Sequence, residues 1–161
     1  MRKFDTESAV SALELQQLVV DWCHDIDTNG GAGASAYFSE DCVGDSGVIS
    51  FKGHAGLKKY YADRLAVIRA TPEGIRTSRH GFSNLRISFE NKDRATLNFL
   101  IFTFAANGPP PIADATVPVA VSDSRFECRR EGDGHWRVFE FVGRPIFLGG
   151  DDFAKKALTG K

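Results

Sequence analysis

Apolar residues at Leu15, Leu18, Val19, Trp22 and Ile26 recur at the spacing of one helix face, so residues 7–26 are predicted as an amphipathic helix. Asp27 lies one turn beyond Cys23. It therefore projects from the flank of the apolar stripe and can look inward. The run Thr28-Asn29-Gly30-Gly31-Ala32-Gly33 ends the helix, because Asn-Gly tolerates left-handed geometry and repeated Gly dissolves helical order. A short helix is expected over 34–38. Residues 42–52 read as one or two short strands broken by Gly44 and Gly47. Gly53-His54-Ala55-Gly56 then introduces a second long helix with the stripe Leu57, Tyr60, Tyr61, Leu65 and Ile68, and Pro72-Glu73-Gly74 follows its end.

Beyond that point the period changes from helical to two. Leu85, Ile87 and Phe89 alternate with polar neighbours, and residues 95–104 are apolar on both parities, as in the centre of a sheet. Ser124, Phe126 and Cys128 alternate with Arg125, Glu127 and Arg129, and residues 136–142 close the set. Asn91-Lys92-Asp93 and Glu131-Gly132-Asp133-Gly134 have hairpin-turn chemistry. The connection over 105–119, with Pro109-Pro110-Pro111 and Pro118, is longer than a hairpin needs, a length that points to function or an interface. The order helix, helix, strand, helix and then several antiparallel strands defines an α+β cone: three helices packed on one face of a strongly bent mixed or antiparallel sheet, enclosing an apolar pocket.

Length and composition narrow the function. A chain of 161 residues and 17.6 kDa fits one domain over 1–161, with an N-terminal arm over 1–6. A formal net charge of -1 gives no global field for nucleic acid or an anionic membrane. The first ten residues mix Arg2 and Lys3 with Asp5 and Glu7 and have no apolar segment, so no secretory signal is expected; no apolar run reaches transmembrane length. Cys23, Cys42 and Cys128 are odd in number and unpatterned, which suits buried reduced thiols in a cytoplasmic protein.

The chemistry-bearing candidates are Asp27 and His80. His80 enters the alternating strand from Arg76-Thr77-Ser78-Arg79, and a carboxylate beside an imidazole is the simplest general-base assembly a protein can build. The other histidines have plainer readings: His54 as a helix-start residue near solvent, His135 in an exposed turn, and His24 in a surface charge cluster with Asp21 and Asp25. A metal site from Cys23, His24 and Asp27 would need ligands on several faces of one helix, so no metal is expected. Asp45 is a weak alternative base whose strand parity points it away from the pocket. Trp22, Tyr60 and Phe141 are candidate pocket walls, and the high Phe content suits a cavity for a hydrophobic ring compound. Gly30-Gly31-Ala32-Gly33 lacks the strand and helix context of a phosphate or dinucleotide loop, so no cofactor is expected.

Five pieces in order carry a family resemblance: the helix ending in Asp25-Ile26-Asp27, then Tyr37-Phe38-Ser39-Glu40-Asp41-Cys42-Val43, the Gly53 turn, Arg79-His80 with Asn84-Leu85-Arg86-Ile87, and Gly134-His135-Trp136-Arg137-Val138. Together they resemble the SnoaL-like branch of the nuclear-transport-factor-2-like superfamily, over roughly residues 15–148. The resemblance implies a cone of one bent sheet and three helices around an apolar cavity. Scytalone dehydratase, bile-acid 7α-dehydratase and hexachlorocyclohexane dehydrochlorinase look similar at two places: an aspartate ending the first helix and a histidine just before the third strand, matched here by Asp27 and His80. This implies a cofactor-free lyase or isomerase in which His80 moves a proton, Asp27 orients it, and Arg144 or Tyr60 steadies developing negative charge. The departures are Trp22, near where those enzymes carry a Tyr or Lys, and Phe141, where the dehydrochlorinase carries an arginine.

The β subunits of ring-hydroxylating dioxygenases are similar as well, through Arg76, Arg79, His80, Asn84 and the run Arg144-Pro145-Ile146-Phe147-Leu148. That likeness implies the alternative: a non-catalytic ligand-binding protein or accessory subunit. The fold also implies a homodimer, or a trimer, formed through a sheet face carrying Phe99, Ile101 and Phe104. The segment over 144–161 is expected to cover the cavity mouth, its first half packing and its second half fraying.

Overall fold

Asp5 caps the first helix, its side chain accepting the Ser8 N–H at 2.8 Å, and α1 (Thr6–Asn29) runs three residues past the predicted end. Leu15, Leu18, Val19, Trp22, Cys23 and Ile26 are buried along its inner stripe, and Asp27 stands in its last turn. In this computed structural model the chain is described over residues 3–47, 49–113 and 117–159.

The end of α1 folds back on itself through Asp25, which is buried rather than part of a surface cluster with His24. Its carboxylate accepts the Gly33 N–H at 3.1 and 3.2 Å and the Asn29 side-chain amide at 2.9 Å. Gly31 has φ of 84°, and a Cβ there would lie 2.1 Å from the Tyr61 ring. The glycine run thus lets α1 and the second helix approach closely. A 3-10 turn (Ala34–Ala36) comes next, shorter than the helix expected over 34–38. Strand pairing ends it, since the Val138 N–H donates to the Tyr37 carbonyl at 3.0 Å.

β1 (Phe38–Ser46) accordingly starts four residues before the predicted 42, and β2 (Ile49–Lys52) completes a hairpin with it. Val48, inside the same predicted segment, lies outside the described residues. α2 (Gly53–Arg69) buries Leu57, Tyr61 and Ile68, as its stripe predicts. Then come β3 (Arg76–Asn91), β4 (Arg94–Asn107), β5 (Ala120–Arg130), β6 (Trp136–Leu148) and α3 (Asp152–Thr159). Among the described residues the six strands form one open sheet in the order β2-β1-β6-β5-β4-β3, parallel only between β1 and β6. This is the α+β cone, with a mixed sheet. Register shifts in the β1–β6, β3–β4 and β5–β6 ladders, including one around Asn84 at φ of 55°, bend the strands around the helices. Among the described residues no helix is long and apolar enough to cross a membrane.

The inner face of the sheet carries Ala95, Leu97, Phe99 and Ile101 from β4 and Phe126 and Cys128 from β5, packed with α1 and α2. Trp22 sits at the centre, edge-on to Phe126 at 5.1 Å and Phe141 at 5.8 Å between ring centroids. Phe99 and Ile101 therefore belong to the interior, not to the exposed sheet face expected of them; Leu100, Phe102 and Phe104 occupy the opposite parity.

The C-terminal segment also differs from expectation. β6 continues through Leu148, and Ile146, Phe147 and Leu148 stay exposed, Phe147 at 68%. The later part is the ordered one. Asp151 caps α3 by accepting the Ala154 N–H at 2.7 Å and pairs with Arg76 at 2.8 Å, while that guanidinium lies 4.6 Å from the Phe153 ring centre. With its side chain only 3% exposed, Arg76 fastens α3 to the start of β3.

Because the Gly31 backbone is left-handed and its Cα faces a ring, Gly31→Ala combines backbone strain with overpacking and should cost roughly 2–5 kcal/mol. The denaturant midpoint of the variant checks this; an unchanged midpoint would mean that α1 and α2 can separate freely at this point.

Candidate functional site

Two elements far apart in sequence bring the candidate pair together. His80 is the fifth residue of β3, inside the strand rather than just before it, and its partner in β4 is Thr103 on the inner face. Asp27 reaches it from the last turn of α1. The His80 Nδ1 and the Asp27 Oδ1 are 2.6 Å apart. Asp27 also accepts the His80 backbone N–H at 2.7 Å through Oδ2 and the Ser78 hydroxyl at 3.1 Å through Oδ1. An ionised carboxylate only accepts, so Nδ1 carries a proton and Nε2 is left as the ring's free nitrogen. Side-chain exposures of 13% for His80 and 7% for Asp27 leave little room for water to compete.

His80 lines a cavity of about 120 Å³ between the helices and the inner sheet face. Trp22, Tyr60 and Phe141, expected from the sequence as pocket walls, line it too, together with Phe38, Phe51 and Ile101. Arg144 does not. Its guanidinium projects on the far side of the sheet, 54% exposed, and pairs with Asp45 at 2.8 Å. Arg144 pairs in β5 with Asp123, whose neighbours Ser122 and Ser124 face the cavity, so strand alternation sends it outward. His54 is another correction: its Nε2 lies 2.8 Å from the Phe38 carbonyl, tying α2 to β1, instead of standing free near solvent.

Tyr61, from the predicted stripe of the second helix, also lines the cavity: it accepts the Trp22 indole N–H at 3.0 Å, and burial pushes its hydroxyl far above the ordinary phenol value, so it is a fixed neutral group. Ser46, Ser122, Ser124, Thr103 and Arg64 add polar atoms, and α3 contributes Leu158 to the wall. The Ser124 hydroxyl is buried without a hydrogen-bond partner among the described residues. Period-two alternation from Phe126 back through Ser124 and Ser122 marks this inner row once β5 is known to begin at Ala120. Cys23, next to the pair, is no nucleophile: burial, helped by the Asp27 charge, raises its thiol to about 12. No group of three or more His, Cys, Asp or Glu among the described residues is arranged to hold a metal ion.

An open cone with an Asp–His pair at the wall of an apolar cavity defines a class of small-pocket α+β protein. Residues 7–142 match the SnoaL-like domain, and the chain belongs to that family. No curated protein matches it. Among solved structures it is similar to Rv3472, a protein of unknown function from Mycobacterium tuberculosis, at 22% identity over 88% of this chain and 80% of that one, with a TM-score of 0.70. A Catenulispora acidiphila protein solved in complex with S-DNPA is 16% identical over 85% and 94% of the two chains, with a TM-score of 0.66. A protein of Novosphingobium aromaticivorans, provisionally named a scytalone dehydratase, is 15% identical over 90% of each chain, with a TM-score of 0.69. At these identities the likeness shows the shared fold.

Burial alone would raise the Asp27 carboxyl, but the His80 ring, the His80 N–H and the Ser78 hydroxyl together outweigh it and hold the group below the ordinary 3.8. A carboxylate depressed in the folded state contributes stability that is complete above its unfolded value of about 3.9 and is lost as pH falls through the folded value. Stability should therefore decline from about pH 5 downward, and Asp27→Asn should flatten that decline. Asp5, Asp41, Asp133 and Glu131 are also depressed but lie near the surface, so the difference between variant and wild type isolates Asp27. Urea midpoints measured across this range for both proteins check it; parallel curves would mean that Asp27 is not the coupled group.

Proposed function

We propose that this protein is a lyase of the dehydratase type, or an isomerase, acting on a small hydrophobic ring compound through the Asp27–His80 pair. The observation that carries the reading is the 2.6 Å contact that fixes Nδ1 on Asp27 and leaves Nε2 as the base at the cavity wall. In a dehydration, Nε2 takes the proton from the carbon beside a carbonyl. The C–H electron pair passes through the enolate into the new C=C bond and expels a β-hydroxyl, which leaves as water with the proton returned by the imidazolium. In an isomerisation the same proton goes back to a different carbon. Neither route changes the oxidation state of the substrate.

Asp27 orients the ring and stabilises the imidazolium. Tyr60, whose hydroxyl burial keeps protonated, and Ser124, whose hydroxyl lacks a protein partner among the described residues, are donors for the enolate oxygen. Trp22 and Phe141 supply the flat apolar walls. A cavity of about 120 Å³ is close to the roughly 150 Å³ that accommodates one benzene ring and well below the ~300 Å³ where drug-sized sites begin. One ring is enclosed, and a larger substrate projects past Leu158. The complex of the Catenulispora acidiphila relative with S-DNPA and the name carried by the Novosphingobium relative support a small-molecule role. The assembly that goes with this reading is a homodimer through the outer sheet face around Leu100, Phe102 and Phe104; sedimentation as a monomer at micromolar concentration would contradict it.

His80→Ala should lower turnover per folded molecule by about 10²–10⁴-fold and also lower the melting temperature, since Asp27 loses one of its three donors, and Asp27→Asn should lower turnover through the wrong tautomer. Deuterium exchange at the carbon beside the carbonyl of ring ketones, followed by NMR, reads the proton-transfer step without knowledge of the leaving group. Exchange that persists in His80→Ala would exclude His80 as the base. Ligand binding without exchange or turnover in the wild type would instead favour a non-catalytic binding protein.

A further inference from the structure

Among the described residues lining the cavity there is one permanent charge, Arg64 of α2, and no carboxylate. Asp27 stands behind His80, outside the lining. Arg76, Arg125, Arg129, Arg130, Arg137 and Arg144 each have a carboxylate within 4 Å; Arg64, Arg69, Arg79, Arg86 and Arg94 have none among the described residues, and of these five Arg64 alone lines the cavity. Its nearest acidic neighbour in sequence, Asp63, points outward and pairs with Lys59 at 2.6 Å. Arg64 is partly buried and lies one helical turn from Tyr60 and Tyr61, on the helix face that meets the cavity.

A guanidinium half withdrawn from water, without a protein counter-charge, costs free energy that an ordinary pocket wall of Leu or Met would avoid. The same planar fork matches a carboxylate through two parallel hydrogen bonds. We propose that the compound bound in this cavity is an acid, and that its carboxylate is held by Arg64 while its ring lies against the wall that Trp22 and Phe141 form together beside His80. This deepens the reading of the pocket as a ring-compound site, on which it rests. It also sets orientation: with the carboxylate fixed on α2, the opposite side of the ring is turned toward the β3 imidazole.

The test uses matched pairs that differ only in charge, benzoate against benzamide and 2-naphthoate against 2-naphthamide, titrated into the full chain at neutral pH with the Trp22 indole resonance as the readout. The acids should bind about 10- to 100-fold more tightly than the amides, the difference a charge-assisted hydrogen bond makes. Arg64→Gln should abolish that preference, and Arg64→Lys should retain part of it. Because Arg64 has no ion-pair partner among the described residues, both variants should keep the wild-type melting temperature. In His80→Ala the acid preference should survive although exchange chemistry is lost. Equal binding of acid and amide by the wild type, or a preference that persists in Arg64→Gln, overturns the assignment and leaves the ring pocket standing. Failure of all four compounds to perturb Trp22 overturns the pocket reading and this assignment with it.

Discussion

One carboxylate joins the two halves of this fold. Asp27, in the last turn of α1, accepts three hydrogen bonds from two residues of β3: the His80 N–H, the His80 ring and the Ser78 hydroxyl. A buried carboxylate without such donors would be costly, so the helix end and the strand can meet in one register only. Shifting β3 by a single residue would turn His80 and Ser78 to the outer face and leave the charge unanswered. The same bonds that stabilise the cone fix the imidazole tautomer. Structure and candidate chemistry therefore depend on one interaction and are lost together.

Around this point the cavity is built from stiff parts. Trp22, Phe38, Phe126 and Phe141 contact one another edge to face, which fills the inner sheet with groups that have few rotamers. Tyr61 is held by the Trp22 indole and by the close approach of Gly31, so α1, α2 and the glycine run form one wall. The remaining side is lined by Leu158 of α3, a helix that Ala154 packs against Ala105 and Val119 and that Arg76 fastens through Asp151 and the Phe153 ring. The charges of the outer face are spent on one another, in pairs such as Arg125 with Glu140 and Arg129 with Glu131. Among the described residues that line the cavity, Arg64 alone has a permanent charge.

The SnoaL-like cone is a scaffold whose chemistry resides in the few polar groups it points inward. Here those groups include an imidazole backed by a carboxylate, a row of hydroxyls of which Ser124 has no protein partner among the described residues, two phenols and a guanidinium. The proposed proton transfer next to a carbonyl would use the imidazole and a hydroxyl, and the proposed acidic ligand would use the guanidinium.

The two long helices, the order of elements as far as the last strand and the inward flank of Asp27 were legible in the sequence, because local periodicity and glycine chemistry decide them: the stripe from Leu15 to Ile26 and the run from Gly30 to Gly33 need no distant partner. The second-helix stripe and the strands around Phe89 and Phe126 were legible for the same reason. What only the tertiary structure decided were the things that depend on pairing. β1 starts at Phe38 because β6 offers Val138 to the Tyr37 carbonyl, and β5 starts at Ala120, where it meets Thr103 of β4. Ladder register also sent Arg144 outward to Asp45, turned Phe99 and Ile101 inward and placed Ser124 on the cavity. The C-terminal helix owes its place to Arg76, seventy-five residues earlier in the chain. Patterning along a chain specifies which face of an element is apolar; which polar residues share that face with a partner is set by the alignment of neighbouring strands, and no local period contains it.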